Sequence, residues 1–114
     1  MSDDYYLIAR ETTVPSAGVP VVRFTLTGEF DLGASDDLRE ALFEVVDAGG
    51  VGDIVVDLAG VEFIDSEAIG ALLDGSLAAR RAGAGFCLVR PQPLVRRVFT
   101  IIQMQHLFED DPQG

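Results

Sequence analysis

The sequence contains no lysine, one histidine and one cysteine among its 114 residues. Its eight positive charges are all arginines, they face nineteen aspartates and glutamates, and the formal net charge is −11. Because such a surface repels phosphate backbones and anionic lipids, the composition argues against nucleic-acid and membrane-surface partners. It suits instead a protein partner that presents a basic face.

Two further absences concern the compartment. The single cysteine, Cys87, excludes an internal disulfide and fits a reducing environment. No apolar run approaches the roughly 20 residues that a membrane helix needs. The N-terminal stretch is acidic and lacks the apolar core of a secretory signal, so we expect no such signal there. Together these features predict a cytoplasmic protein.

Motifs that carry chemistry are also scarce. Cys87 and His106 have no partners at the spacing of zinc ligands, so we expect neither a metal site nor a cofactor. A Ser-His-Asp triad would have to use His106, and no G-x-S-x-G turn, P-loop or G-x-G-x-x-G segment is present. Asp57 ends a predicted strand, as the phosphate-accepting aspartate of a receiver domain does, but such sites also need a lysine. We expect Asp57 to order the turn at 59–60 by accepting backbone hydrogen bonds.

Nearly half of the residues are apolar, enough for one packed core. Segments 5–10 and 21–30 are predicted to form an antiparallel hairpin across a loop rich in proline and glycine. Helices are predicted from Ser35, as N-cap, to Gly49, from about 67 to 81, and after Pro93. Strands are predicted at 53–58 and 85–90, with a short final strand near 107–108.

This order of elements predicts an α/β fold. Strands that alternate with helices imply a mostly parallel sheet, and the leading hairpin makes that sheet mixed. We expect one domain over residues 1–114, with a core from about 5 to 109 and a tail at 110–114 that frays.

The stretch VEFIDSEAIGALL, residues 61–73, ends a strand and begins a helix. Asp65 or Ser66 is the expected N-cap. Asp and Asn are as good as Ser at this position, so capping alone does not require a serine. The same position is the carboxyl end of a buried strand, where α/β folds place binding sites, so the Ser66 hydroxyl would be exposed and reachable by a kinase. From the pattern alone, a cap and a modification site are both open interpretations.

Three segments resemble the anti-sigma factor antagonists, which belong to the STAS domain class. They are TLTGEFDL (25–32), IVVDLAGVEFIDSEAIGALL (54–73) and FCLVRPQPLVRRVFTIIQMQHLFE (86–109). The resemblance runs from about residue 21 to residue 109, and its most specific part is F-[ILM]-D-S after a V-[DN]-L strand. It implies the STAS fold, a mixed sheet with a leading antiparallel strand and flanking helices, in agreement with the order of elements.

The resemblance also implies a function. Members of this family are not enzymes; they bind an anti-sigma factor that is also a serine kinase and so free a sigma factor for transcription. The kinase would switch this protein off by phosphorylating Ser66, and a phosphatase would reset it. The implied partner-binding residues are Asp31, Asp65, Ser66, Glu67 and Ile69. The oligomeric state is open between a monomer and a weak dimer.

One departure from the family pattern bears on the switch. The family usually continues D-S-[ST]-G-[LIV], whereas this chain has DSEAI at 65–69. Ala68 in place of glycine favours the helix. Glu67 sets a fixed negative charge beside the acceptor serine. Three interpretations are open: it weakens recognition by a typical kinase, it partly imitates the phosphorylated state, or it matches a partner with an extra arginine or lysine at this position.

Three functional hypotheses follow. The first is a module that captures an anti-sigma kinase and is switched by phosphorylation. The second is a STAS adaptor in a larger signalling assembly, in which Glu67 makes the switch fixed or atypical. The third is a small-molecule sensor or enzyme with a pocket near Asp31, Asp57 and Ser66; the missing base, metal cluster and phosphate loop argue against it.

Overall fold

The computed structural model describes residues 5–16, 18–31 and 33–112. In chain order the elements are β1 (Tyr6–Thr13), β2 (Val21–Phe30), α1 (Ala34–Ala48), β3 (Asp53–Ile64), α2 (Ser66–Arg81), β4 (Gly85–Val89) and α3 (Pro93–Ile101), followed by a 3-10 turn at Gln105–Leu107. The strands form one sheet in the order β1-β2-β3-β4. Strand β1 pairs antiparallel with β2, and the other two pairings are parallel. The predicted mixed, mostly parallel sheet with flanking helices is confirmed.

The main core lies between one face of this sheet and the helices. Alternate residues of β2 and β3 point to that face, because successive side chains of a strand point to opposite sides. Phe24, Phe30 and Phe99 are the largest side chains that are fully buried there. Leu38 and Leu42 lie one helical turn apart on α1 and pack into this core from the helix side.

The opposite face of the sheet carries a smaller cluster, which consists of Val55, Cys87 and Val89 with Val21 packed against it. The prediction that Cys87 is a small buried residue is confirmed, since its thiol is free and buried. The C-terminal segment after Phe108, rather than a helix, lies against this face of the sheet.

Contacts of that segment with the sheet bear on the prediction of a frayed tail, which stays a prediction. The amide of Glu109 donates to the carbonyl of Leu88 at 3.0 Å, and Asp111 forms an ion pair with Arg23 at 2.8 Å. Residues 109–112 are therefore tied to the sheet, while 113–114 lie outside the described residues. The predicted final strand is reduced to an isolated parallel bridge between Leu88 and Phe108.

Strand β3 is longer than predicted. We expect it to end at residue 58 before a turn, but it continues to Ile64 because its ladder with β2 resumes after each of two bulges. Thr25 and Thr27 pair with Asp57 and Gly60, and Gly28 and Glu29 pair with Val61 and Phe63, so one extra residue of β3 is absorbed at each bulge.

The start of α1 also differs from the prediction. Ser35 is not the N-cap; it is buried inside the helix, and the cap is Gly33, with φ of 100° and no side-chain hydrogen bond. The amide of Ala34 instead donates to the carbonyl of Asp31 at 2.9 Å. The left-handed backbone at residue 33 favours glycine, so the turn geometry displaces the serine from the cap position.

Helices α1 and α2 lie close together at Gly75, where an added Cβ would lie 2.6 Å from Leu42 Cδ1. At Gly70 in the same helix, the nearest atom to an added Cβ would be Arg39 Nη2 at 3.9 Å. We expect Gly75→Ala to lower the free energy of unfolding by about 1–2 kcal/mol, because overpacking outweighs the gain in helix propensity. Gly70→Ala, the matched control, should raise it by up to about 1 kcal/mol. Urea titration measures both, and a stabilised Gly75→Ala would contradict the close approach.

Candidate functional site

The candidate site lies where β2 and β3 end side by side. Their parallel ladder closes with Phe30 opposite Ile64, and the amide of Asp65 donates to the carbonyl of Phe30 at 3.0 Å. Asp31 follows Phe30 and Asp65 follows Ile64, so both acidic residues leave neighbouring strands at the same edge of the sheet. The carboxyl edge of a parallel sheet is the usual position of a binding site in such folds.

Helix α2 begins directly after β3 and is capped by Asp65. Its carboxylate oxygen Oδ1 accepts from the amide of Ala68 at 2.8 Å, and its carbonyl accepts from the amide of Ile69 at 3.0 Å. Ser66 is the first helical residue, and it is exposed. Of the two predicted caps the structure therefore selects Asp65, and the exposed hydroxyl of Ser66 has no part in the capping bond.

The remaining predicted site residues differ in exposure. Glu67 is exposed beside Ser66, and Asp31 is half-buried. Ile69 is only 7% exposed and belongs to the core, so it supports the start of α2 from below and offers almost no surface to a partner. We call the surface formed by Asp31, Asp65, Ser66 and Glu67 the Ser66 face.

An apolar groove that the sequence did not predict adjoins the Ser66 face. Phe63, just before the end of β3, is 46% exposed, and Leu94 at the start of α3 is 60% exposed. They line a cavity of about 180 Å³ together with Glu62, Ile64, Val95 and Val98. The groove exists because β4 ends at Val89, opposite Asp57, so that α3 rather than another strand flanks the second half of β3.

Asp57 lies in the first half of β3, away from this face, and its carboxylate is nearly buried. Its Oδ1 accepts from the amide of Ala59 at 2.9 Å, as predicted. Its Oδ2 accepts from Nη2 of Arg23 at 2.8 Å and from Nη2 of Arg90 at 2.6 Å, two partners that no local pattern indicated.

Burial works against ionisation of Asp57, but hydrogen bonds from Arg90, the Ala59 amide and Arg23 outweigh it and lower the pKa of the carboxyl below its usual value. Asp57 is therefore a structural anion on the second face of the sheet. It is held away from Asp31 and Ser66, with which the third hypothesis had grouped it.

Other reactive groups in the described ranges are few. Burial, with smaller contributions from Glu109 and Asp53, raises the pKa of the Cys87 thiol to about 11, so the thiol is protonated at neutral pH. Residues 5–16, 18–31 and 33–112 hold no group of three histidine, cysteine or acidic side chains placed to bind a metal ion. None of the described helices is long and apolar enough to span a membrane.

Because Asp65 carries the cap of α2, Asp65→Ala should lower the free energy of unfolding by about 1 kcal/mol. Ser66→Ala should change it by less than about 0.5 kcal/mol, since the serine is exposed and outside the capping bond. Asp65→Asn keeps an accepting oxygen and should restore most of the loss. Urea unfolding at pH 7 compares the three variants, and a larger loss for Ser66→Ala than for Asp65→Ala would show that the serine is the cap.

Comparison with known proteins assigns this chain and its fold to one family. The model of the STAS domain matches residues 13–112. The chain is 34% identical over 98 residues to a STAS-domain-containing protein of Pseudomonas aeruginosa, which covers 86% of this chain and 95% of that one. It is 32% identical over 94 residues to an anti-sigma F factor antagonist of Lysinibacillus sphaericus, covering 82% of this chain and 72% of the relative.

A solved structure agrees with these matches. That of the anti-sigma factor antagonist SpoIIAA in its unphosphorylated form superposes with a TM-score of 0.76 at 23% identity, over 92% of this chain and 90% of that one. The family model, the two relatives and the solved structure each match most of the chain. The chain belongs to the STAS domain family.

Proposed function

We propose that this protein is an anti-sigma factor antagonist that binds an anti-sigma factor with serine kinase activity, and that phosphorylation of Ser66 ends the binding. The observation that carries the proposal is the exposed Ser66 hydroxyl at the first position of α2, beside the carboxyl ends of β2 and β3. The named relative from Lysinibacillus sphaericus supports the class, and SpoIIAA has been solved in a phosphorylated form as well as an unphosphorylated one.

Accessibility is the first requirement of such a switch, and the local geometry supports it. Asp65 satisfies the amide of Ala68, so a phosphate on Ser66 removes no hydrogen bond that holds the helix start. The buried ladder beneath, which ends at Phe30 and Ile64, gives the serine a rigid support. A kinase can therefore approach the hydroxyl without unfolding the helix.

The energy of a phosphate at this position comes from two opposing effects. The N-terminus of α2 would stabilise an exposed anion by about 0.3–1 kcal/mol. Asp65 and Glu67 together would repel it by about 2–3 kcal/mol at separations of roughly 5–6 Å in a water-like dielectric, and by about half as much at physiological ionic strength. At that ionic strength the two effects nearly cancel, so the fold is expected to survive and the added charge of about −1.5 to −2 acts outward.

The outward effect is release of the partner. A kinase must bring the γ-phosphate of its nucleotide to the Ser66 hydroxyl, so after transfer the new phosphate faces the nucleotide that remains. Repulsion between these anions, together with Asp65 and Glu67, opposes continued docking. The apolar groove at Phe63 and Leu94 would contribute contacts in the bound state, because exposed apolar side chains beside a charged site are typical of binding surfaces.

In this function the protein is a regulatory binding protein and not an enzyme. It would act in the cytoplasm, where a released sigma factor meets its polymerase, and a phosphatase would restore the binding form. The acidic composition suits this role, because a basic partner face would be attracted while nucleic acid would be repelled.

A second candidate function is a STAS adaptor within a larger signalling assembly. The observation that favours it is Glu67, which is exposed and places a permanent negative charge next to Ser66. A carboxylate at this position imitates part of the charge of a phosphoserine without a kinase. In that case the state of the Ser66 face would be fixed.

Phosphorylation is tested by incubating the protein with the cognate anti-sigma kinase and MgATP and measuring the intact mass. We expect the wild type to gain one phosphoryl group, Ser66→Ala to gain none, and Ser76→Ala, a matched control on the same helix, to behave as the wild type. Glu67→Gln should be modified at least as fast, because a repelling charge has been removed.

Two results would count against the switch. If Ser66→Ala gained the same phosphoryl group, the modified residue would lie elsewhere. If neither the wild type nor Glu67→Gln were modified, the adaptor function would be favoured.

A further inference from the structure

Residues 109–112, which we name the C-terminal strap, cross the face of the sheet opposite α1 and α2. Arg23, Val55 and Cys87 lie side by side in one row across β2, β3 and β4. The strap leaves the outer edge of β4, where the amide of Glu109 donates to the carbonyl of Leu88 at 3.0 Å. Asp111 of the strap then contacts the guanidinium of Arg23, whose side chain extends from β2, so the strap runs from the edge of β4 towards β2.

An ion pair anchors the far end of the strap. Asp111 Oδ1 accepts from Arg23 Nη1 at 3.0 Å, and Oδ2 accepts from Nη2 at 2.8 Å. The two side chains are only 10% and 11% exposed, so the pair is poorly screened by solvent. Such a two-bond pair is among the stronger charge-assisted contacts in proteins.

The strap is nevertheless loosely seated on the sheet. Glu109, Asp110 and Pro112 are exposed. A cavity of about 340 Å³ adjoins the strap. It is lined by Glu109 and Pro112 together with Thr13, Pro15, Val21, Arg23, Asp53, Val55 and Cys87. Because the space beside the strap is unfilled, detachment of the strap loses few packing contacts.

Detachment of the strap would also leave no buried charge without a partner. Arg23 keeps its hydrogen bond to Asp57 at 2.8 Å, and Asp57 keeps Arg90 at 2.6 Å. Asp111 would pass into water, where its charge is solvated. The strap can therefore open without leaving a buried charged side chain unpaired, which would carry a large energetic penalty.

We propose that the C-terminal strap is a lid, held closed by the Arg23–Asp111 ion pair, which opens while the rest of the domain stays folded. Opening gives small molecules in solution access to the cavity and to the residues that line it. The lid is independent of the proposed switch, because the strap lies on the second face of the sheet and the Ser66 face lies at the carboxyl edge.

The single cysteine provides a direct readout, because Cys87 lines the cavity beside the strap. The experiment measures the alkylation rate of Cys87 by iodoacetamide, an uncharged reagent, from the intact mass across a range of pH. The rate per thiolate is compared between proteins, because the charge of Asp111 itself helps to raise the pKa of the Cys87 thiol. Asp111→Asn should react roughly 10- to 100-fold faster than the wild type, the factor expected from loss of one charged hydrogen-bonded contact. Asp110→Asn, the neighbouring matched control, should react at the wild-type rate.

Salt and urea separate opening of the lid from global unfolding. Sodium chloride at about 1 M should speed the wild type several-fold and leave Asp111→Asn unchanged, because dissolved ions stabilise the separated charges of the open arrangement. The rate should rise only weakly with urea, since opening a short segment exposes little surface. The salt and urea dependences of the wild-type rate test the opening of the lid even if Asp111→Asn fails to fold. Equal rates in all three proteins, or a urea dependence as steep as that of global unfolding, would overturn the proposal.

Discussion

The parallel ladder between β2 and β3 is the contact on which most of this structure depends. It runs from Val21 opposite Asp53 to Phe30 opposite Ile64. Its register places Phe24 beside Val56 in the core. Because side chains alternate along a strand, a slip of one residue would move apolar groups to the wrong face. Its last pair also delivers two acidic residues to one edge, so core and candidate site share a single determinant.

The ladder divides the molecule into two faces that are closed in different ways. Helices α1 and α2 cover the face that holds the main core, with Gly75 permitting their close approach. A short strap covers the other face, and Arg23 and Asp111 hold it there. The first closure rests on apolar burial and the second on charge, so only the second is expected to respond strongly to salt.

Much of this could be predicted from local sequence. Strands β2 and β4 follow apolar periodicity, and α2 follows its cap and its apolar spacing, so those elements were found close to their true positions. The family resemblance named Asp31 and Asp65 among the partner-binding residues, and the parallel ladder is the physical reason why both lie at the same edge of the sheet.

Most differences between prediction and structure share one cause, which is dependence on residues distant in the chain. The length of β3 depends on two bulges in its ladder with β2. The contacts of the tail with the sheet depend on Arg23, far from Asp111 in the sequence. The groove at Phe63 depends on where β4 ends. Only Ser35 was a local error, because the left-handed turn at Gly33 moved the helix start.

The measurement that tests charge control of the Ser66 face most directly is a calorimetric affinity for the cognate anti-sigma factor. It would compare the wild type with Ser66→Asp and with Ser16→Asp, which adds the same charge to an exposed residue in the loop before β2, at the opposite edge of the sheet. If charge at the Ser66 face controls docking, Ser66→Asp will bind at least roughly tenfold more weakly, a loss of about 1.4 kcal/mol, and Ser16→Asp will bind as the wild type does. Undiminished binding by a folded Ser66→Asp, or equal weakening by both variants, would contradict that control.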